Sequence, residues 1–239
     1  MDQARLERLL TELYATDGST SVLHRICVVC RRQTSVDGAG LTRLDNGVHE
    51  LVIASDDHAA VVELLQIDLG EGPSIDTLRS FRRSHHADLT SAEARARWPR
   101  FADAATQNGV AAAFATPLLA GGVAIGSLGM YSSRTGDLDS ERVADAEVLA
   151  ELAALAVEQL DARTRIADLG IGVESIAPWA YPAIVHNASG MMSEQLAISV
   201  DEALLRLRAL AFVRGGSVTD LARAVVERTV QIEAWSDHD

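Results

Sequence analysis

Apolar and polar positions follow two rhythms along this chain, and the changes between them mark its parts. Near the start, Leu6, Leu9, Leu10 and Leu13 recur three and four residues apart, on one side of a helix that stops at Asp17-Gly18. A second helix is predicted from about Thr20 to Arg32. The period then falls to two. Ala39 to Leu44 and His49 to Ala54 flank an Asp-Asn-Gly turn as a β-hairpin does, and Ala111 to Leu119 with Val123 to Tyr131 repeat the pattern across Gly121-Gly122. Between the hairpins come a helix over Asp56 to Gln66, a Gly70-Glu71-Gly72-Pro73 turn, a loop with a short helix ending near His86, and a helix over Trp98 to Asn108.

A long helix from Asp139 to about Asp168 carries two apolar stripes. Ala146, Leu149, Ala153, Ala156 and Leu160 can cover the chain's own sheet. Val148, Leu152, Leu155, Gln159, Ala162, Ile166 and Leu169 recur in alternating steps of four and three, the spacing of a coiled-coil seam, which predicts a homodimer with Gln159 fixing its register. A helix buried within one chain would also accommodate this spacing.

Glycine, proline and two bulky aromatics interrupt the pattern over Ile171 to Tyr181, a predicted hinge. Three short helices follow. The first opens at Pro182, with Ile184, Ala188, Met191 and Gln195 on one side; Gly190 costs roughly 1 kcal/mol relative to alanine and would fit a close helix contact. Ser199 and Glu202 form a capping box ahead of Ala203, Leu204, Leu207, Leu210 and Ala211, and Gly215-Gly216 end that helix. Ser217 with Asp220 caps the third, whose stripe is Val218, Leu221, Ala222 and Val225. None is long enough to be stable alone, so a shared core is expected.

The predicted organisation is an N-terminal helix (1–18), an α+β unit on an antiparallel sheet with flanking helices (19–170, including the long connecting helix 139–168), a hinge (171–181), an all-α three-helix bundle (182–232) and a tail (233–239). A length of 239 residues with 48% hydrophobic and 23% charged residues allows two such domains. No run of 18 apolar residues and no signal-peptide core is present, so a cytoplasmic protein without a membrane partner is expected.

The net charge of -13, with arginine as every one of the 21 basic residues, opposes nonspecific binding to polyanions. Any nucleic-acid surface must come from local clustering, and the candidates are Arg206, Arg208, Arg214, Arg223 and Arg228. Arg206 and Arg208 point to different sides of one helix. Each arginine also fits a salt-bridged surface position.

Cys27 and Cys30 form a CxxC pair embedded among Ile26, Val28 and Val29 inside a helix, which favours packing over redox chemistry. Two cysteines exclude a four-cysteine zinc site within one chain. Asp56-Asp57 stands at a helix start, where capping explains it, and the glycines of Gly121 to Gly129 cross a hairpin instead of opening a helix. With no P-loop, no Gly-x-Ser-x-Gly elbow and no metal-ligand cluster, the chain reads as a non-enzyme.

Ala188, Gly190, Met191 and Met192, then Asp201, Glu202 and Ala203, then Leu207 and Arg208, then the DLARAVV run from Asp220 to Val226, together resemble the ANTAR family. These are RNA-binding modules of bacterial transcription antitermination regulators, and the resemblance spans Pro182 to Val230. It implies a dimer that binds paired hairpins in nascent RNA and prevents a terminator from forming. The RNA-binding candidates are Ser189, Gly190, Arg206, Arg208, Arg214 and Arg223. Where the family often has a lysine, this chain has Ser189.

A second set comprises Gly70-Glu71-Gly72-Pro73, Trp98-Pro99-Arg100-Phe101-Ala102, Gly109-Val110, Thr116-Pro117-Leu118, and Gly126 through Tyr131-Ser132. In this order, over about Ser19 to Leu160, it resembles the GAF family of small-molecule sensor domains. That implies a ligand pocket between the sheet and its covering loops, of unknown ligand and cofactor, with Leu69, Ile75, Phe81, His85, His86, Trp98 and Phe101 as candidates. Core packing competes for the aromatics. His85 and His86, expected in a loop, are of a type that ligates haem or metal, yet adjacent histidines do not easily share one ion. Together the resemblances imply a sensor-controlled RNA-binding regulator. The alternative is a ligand-sensing or protein-interaction module whose bundle does not bind RNA.

Overall fold

The computed structural model describes residues 3–16, 20–45, 48–168, 183–196, 198–213 and 218–230. The chain divides into two compact units, Met1–Pro178 and Trp179–Asp239. The predicted hinge, 171–181, lies outside the described residues, as do Leu169 and the tail.

The first unit opens with α1 (Gln3–Ala15) and α2 (Val22–Thr34), then the hairpin strands β1 (Gly38–Asp45) and β2 (Val48–Ala54). Next come α3 (Asp57–Leu69), α4 (Pro73–Ser80), the short strand β3 (Ser84–His86), α5 (Ala92–Arg97) and α6 (Pro99–Gln107). The second hairpin, β4 (Ala112–Ala120) and β5 (Val123–Ser132), leads into α7 (Ser140–Asp168). All pairings are antiparallel, and the five strands lie in the order β2-β1-β5-β4-β3. Gly121 and Gly122 take φ of 58° and 85°, the left-handed conformation a tight hairpin turn needs.

Two predicted features change. His85 and His86 stand on the edge strand β3, not in a loop; three residues are too few to show an alternation. The short helix expected to end near His86 is α4, which stops at Ser80; the helix predicted over Trp98 to Asn108 is present as α6, with α5 an additional element before it. Pro99 occupies the first turn of α6, where its missing N–H has no helical partner to lose.

One sheet face packs against α2 and α7, with Ala39, Leu41, Phe114, Leu118, Leu128 and Met130 meeting Ile26, Cys27, Val29, Cys30, Leu149 and Ala153. The opposite face lies under α3, α4 and α6, with Ala113 and Tyr131 meeting Ala59, Val62, Trp98, Phe101 and Ala105. On α7 four members of the predicted sheet-facing stripe are in place, Ala146, Leu149 and Ala153 buried and Ala156 packed beside them, while the side chain of Leu160 is outside those described. Two residues of the predicted seam belong instead to the unit's own core. Val148 is buried in the unit's own core and Leu152 packs against it, because Ala150, Ala154 and Val157 widen the buried face. Leu155 and Gln159 are exposed. Ala162 and Ile166 lie on α7 with side chains outside those described.

The second unit consists of α8 (Ala183–Leu196), α9 (Val200–Val213) and α10 (Val218–Val226), each touching the other two. Its core is Val185, Ala188, Met192, Ala203, Leu207, Ala211, Val218, Leu221, Ala222 and Val225. The Ser199 hydroxyl accepts the Glu202 amide at 3.1 Å, the cap read from sequence. The buried side of α8 is turned one residue from the predicted stripe, onto Val185, Ala188, Ser189 and Met192. Gly190 therefore faces outward, and a β-carbon there would meet nothing within 4 Å, so it makes no close helix contact.

Candidate functional site

Asp56 starts α3 by accepting the Ala59 amide on its carboxylate at 2.9 Å. From there Ala59, Val62, Glu63 and Gln66, three or four positions apart, turn toward the sheet. The strands beneath offer glycine where the helix comes closest. A β-carbon on Gly38 would stand 2.9 Å from that of Ala59, and one on Gly40 would stand 2.7 Å from Cγ of Glu63. A β-carbon on Gly129 would strike the Glu63 carboxylate itself and come within 2.6 Å of the Tyr131 hydroxyl. Glycine at 40 and 129 thus makes the space that Glu63 fills.

Glu63, Gln66, Ser74 and Tyr131 form a network shut away from solvent. Gln66 donates from Nε2 to the Tyr131 hydroxyl at 2.7 Å, with Glu63 Oε2 and Ser74 Oγ each 3.2 Å from the same nitrogen. Its Oε1 accepts the Ser74 amide at 2.8 Å, at the start of α4. The Ser74 hydroxyl donates to Glu63 Oε1 at 3.4 Å, and Tyr131 also bonds that carboxyl. Thr42 and Ser127 extend the polar floor through a buried hydroxyl pair at 2.8 Å.

Burial pushes the Glu63 carboxyl up to about 8, against the opposing hydrogen bonds from Tyr131 and Ser74. Near neutral pH the group is mainly protonated. Burial, and after it the Glu63 charge, likewise holds the Tyr131 hydroxyl well above the ordinary phenol range. Two further hydroxyls, Thr77 on α4 and Ser84 on β3, are buried without a hydrogen-bond partner among the described residues. Since α4 packs on β3, β4 and β5, this layer holds both a satisfied polar network and unsatisfied donors.

The residues predicted for a ligand pocket separate. Trp98 and Phe101 are core residues, stacked edge to face at 6.0 Å, and the Trp98 indole donates to Asp76 Oδ2 at 3.1 Å. Ile75 is buried, and Leu69 packs at the edge of the same cluster. His86 rests against Trp98 at 4.2 Å while His85 meets Phe114 at 5.4 Å on the other face of the sheet, so the pair cannot hold one ion. Burial lowers the pKa of both. Phe81 closes α4 in the left-handed conformation (φ 59°) with its ring half exposed. Among the described residues no group of three or more histidine, cysteine, aspartate or glutamate side chains could hold a metal.

The CxxC cysteines are fully buried, and burial raises both thiols, Cys30 to about 12. Glu71, in the Gly-Glu-Gly-Pro turn, accepts the amides of Arg100 and Phe101 at 3.0 and 3.3 Å and so caps α6 from 29 residues away. Glu63, Gln66, Ser74 and Tyr131 were not singled out from sequence. Their available signal was two polar residues, 63 and 66, in the otherwise apolar run from Val61 to Ile67.

In the C-terminal unit Ser189 is buried, its hydroxyl without a partner among the described residues. Gly190 is exposed beside it. Arg206 pairs with Glu202 at 2.7 Å and Arg223 with Asp220 at 3.9 Å, each on its own helix. Arg208 lies on α9 with its side chain outside those described, and Arg214 lies outside the described residues.

The family model of the GAF domain matches residues 17–158. The chain belongs to the GAF family. The buried network is therefore a feature of a GAF unit, held between its α3–α4 cover and its sheet. The fold is similar to that of the GAF domain from the Acinetobacter phosphoenolpyruvate-protein phosphotransferase, with a TM-score of 0.53 and 13% identity, covering 68% of this chain and 96% of that one. A domain of a Sinorhizobium meliloti protein described as a two-component sensor histidine kinase gives a TM-score of 0.50 at 15% identity, covering 60% of this chain and 93% of that one. At such identities the likeness concerns the GAF fold alone. No curated protein sequence matches the chain. No helix among the described residues of the GAF protein is long and apolar enough to cross a membrane.

Proposed function

We propose that this chain is a cytoplasmic, non-catalytic regulator in which a ligand-sensing GAF unit governs a C-terminal bundle that binds paired hairpins in nascent RNA and prevents termination. The observation that carries the RNA reading is the C-terminal unit. Residues of the ANTAR pattern are distributed over all three of its helices in the family's order, and Ala188, Met192, Ala203, Leu207, Leu221, Ala222 and Val225 supply its core. The sensing reading rests on the GAF family and on the layer beneath α3 and α4, where the unpaired Thr77 and Ser84 hydroxyls offer a ligand donors that the protein leaves unused. A ligand there acts only if it binds two states of the protein with different affinity. The direct test is titration of the whole chain with an RNA carrying two adjacent small-loop hairpins.

The second reading, a sensing or interaction module whose bundle does not bind RNA, draws on the same unit. Ser189 is buried where the family often has lysine, and Arg206 and Arg223 already pair with acids of their own helices. Equal or negligible binding to paired hairpins, a single hairpin and duplex DNA would favour it.

A further inference from the structure

We propose that the face of the GAF unit built from the end of α4, the outer edge of β4 and α7 is a self-complementary surface that docks a second copy of this chain. The face contains an open groove of about 600 Å³ lined by Phe81, Arg82, Arg83, Pro117, Leu119 and Glu147, with Thr116 and Glu151 completing it. Phe81 is 49% exposed and Leu119 46% exposed, a large aromatic and a leucine side by side on one surface. Leu155, 57% exposed, follows Glu151 by one helical turn on α7 and carries the apolar surface beyond the groove. Exposed large apolar groups gathered in this way mark an interaction surface better than the same groups scattered singly.

The charges identify the occupant. The groove carries two arginines on one wall and two glutamates on the other. Arg83 and Glu147 already pair across it. Arg82 and Glu151 have no ion-pair partner among the described residues. A partner of one charge sign would be repelled by one wall, whereas a copy related by a two-fold axis sets its glutamate wall against this arginine wall and the reverse. In that arrangement Arg82 of each protomer meets Glu151 of the other, and Leu155, Leu119 and Phe81 are covered. Among the described residues the short strand β3 leaves the outer edge of β4 without a strand partner beyond Ala115, and Pro117 on that edge lacks an N–H, so the copy meets side chains instead of extending the sheet.

This deepens the homodimer reading of α7, moving the contact from Val148 to the exposed face around Glu151 and Leu155. It is independent of RNA binding. The test is sedimentation equilibrium of the full chain without RNA, for the wild type, Arg82→Glu, Glu151→Arg and the double variant. All positions are on the surface, so the variants should fold, and circular dichroism checks this. The wild type should be a dimer, each single reversal should weaken it by about tenfold or more, and the double reversal should restore it to within about threefold. Leu155→Glu should weaken the dimer without rescue by either charge change. A wild type that stays monomeric up to about 100 μM overturns the proposal, as does a dimer indifferent to all these changes. Failure of RNA binding alone leaves the sedimentation result untouched and bears only on the function proposed above.

Discussion

The side-chain amide of Gln66 on α3 donates to the hydroxyl of Tyr131 on β5 at 2.7 Å, with both residues buried. The contact joins the helix covering the sheet to the strand beneath it. Glu63 and Ser74 complete the joint, so α3, the start of α4 and β5 are fastened by one polar network. Each hydrogen bond contributes only about 1 kcal/mol net, but a buried donor or acceptor that loses its partner costs about 1–3 kcal/mol. Losing one member therefore leaves its neighbours buried without their partner.

Its acid makes stability depend on pH. Glu63 binds its proton more tightly in the folded chain, at about 8, than at its ordinary value of 4.5. The stabilisation is fully present below pH 4.5 and is lost as pH rises to about 8. Glu63→Gln keeps the shape and cannot ionise. Between about pH 5 and about pH 8, urea unfolding should show the wild type losing stability relative to the variant by up to about 1.4 kcal/mol per pH unit. Parallel pH profiles would contradict the burial of an acid at this position.

Gly129→Ala tests the close approach. The added methyl would collide with Glu63 and crowd Tyr131 and Ser74, so thermal unfolding should reveal a loss of about 1–3 kcal/mol. Gly129 is not among the positive-φ glycines, so its loss reports the collision alone, whereas Gly136→Ala, where the β-carbon would meet nothing within 4 Å but φ is 141°, reports backbone strain without a collision.

The sequence foreshadows these elements unevenly. Both hairpins were legible because Asp-Asn-Gly and Gly121-Gly122 punctuate clear alternations, and the sheet-facing stripe of α7 was legible from Ala146, Leu149 and Ala153. Strand β3 was too short for a periodic signal. The Glu63 network was not legible because Gly40, Glu63 and Gly129 meet only after three distant segments pack, and no local rhythm links them. Ser189 and Gly190 were misplaced by a one-residue rotation of α8. Glycine at 190 weakens the apolar pattern there, and the choice between the Ile184 and Val185 stripes is made by α9 and α10.

The cysteines provide a third check. Cys27 and Cys30 are fully buried and their thiols are raised, so both should resist a thiol reagent in the native chain and react on unfolding in denaturant. Rapid native labelling would show that α2 opens readily.

In the C-terminal unit, substitutions separate stability from the proposed RNA contact. Ser189→Ala removes a buried hydroxyl without a partner and should stabilise the unit by about 1 kcal/mol, measured by chemical denaturation. Gly190→Ala should stabilise it by up to about 1 kcal/mol, since the methyl meets nothing. If Gly190→Ala weakens RNA binding while raising stability, Gly190 lies at the RNA surface.

The central claim is most directly tested by titrating the whole chain, at physiological salt, with an RNA bearing two adjacent small-loop hairpins, against a single hairpin and duplex DNA. Preference for the paired hairpins, lost in an Arg208→Ala variant of unchanged fold, is the predicted result. Equal or negligible binding to all three would contradict the antitermination reading and leave a GAF sensor joined to an interaction bundle.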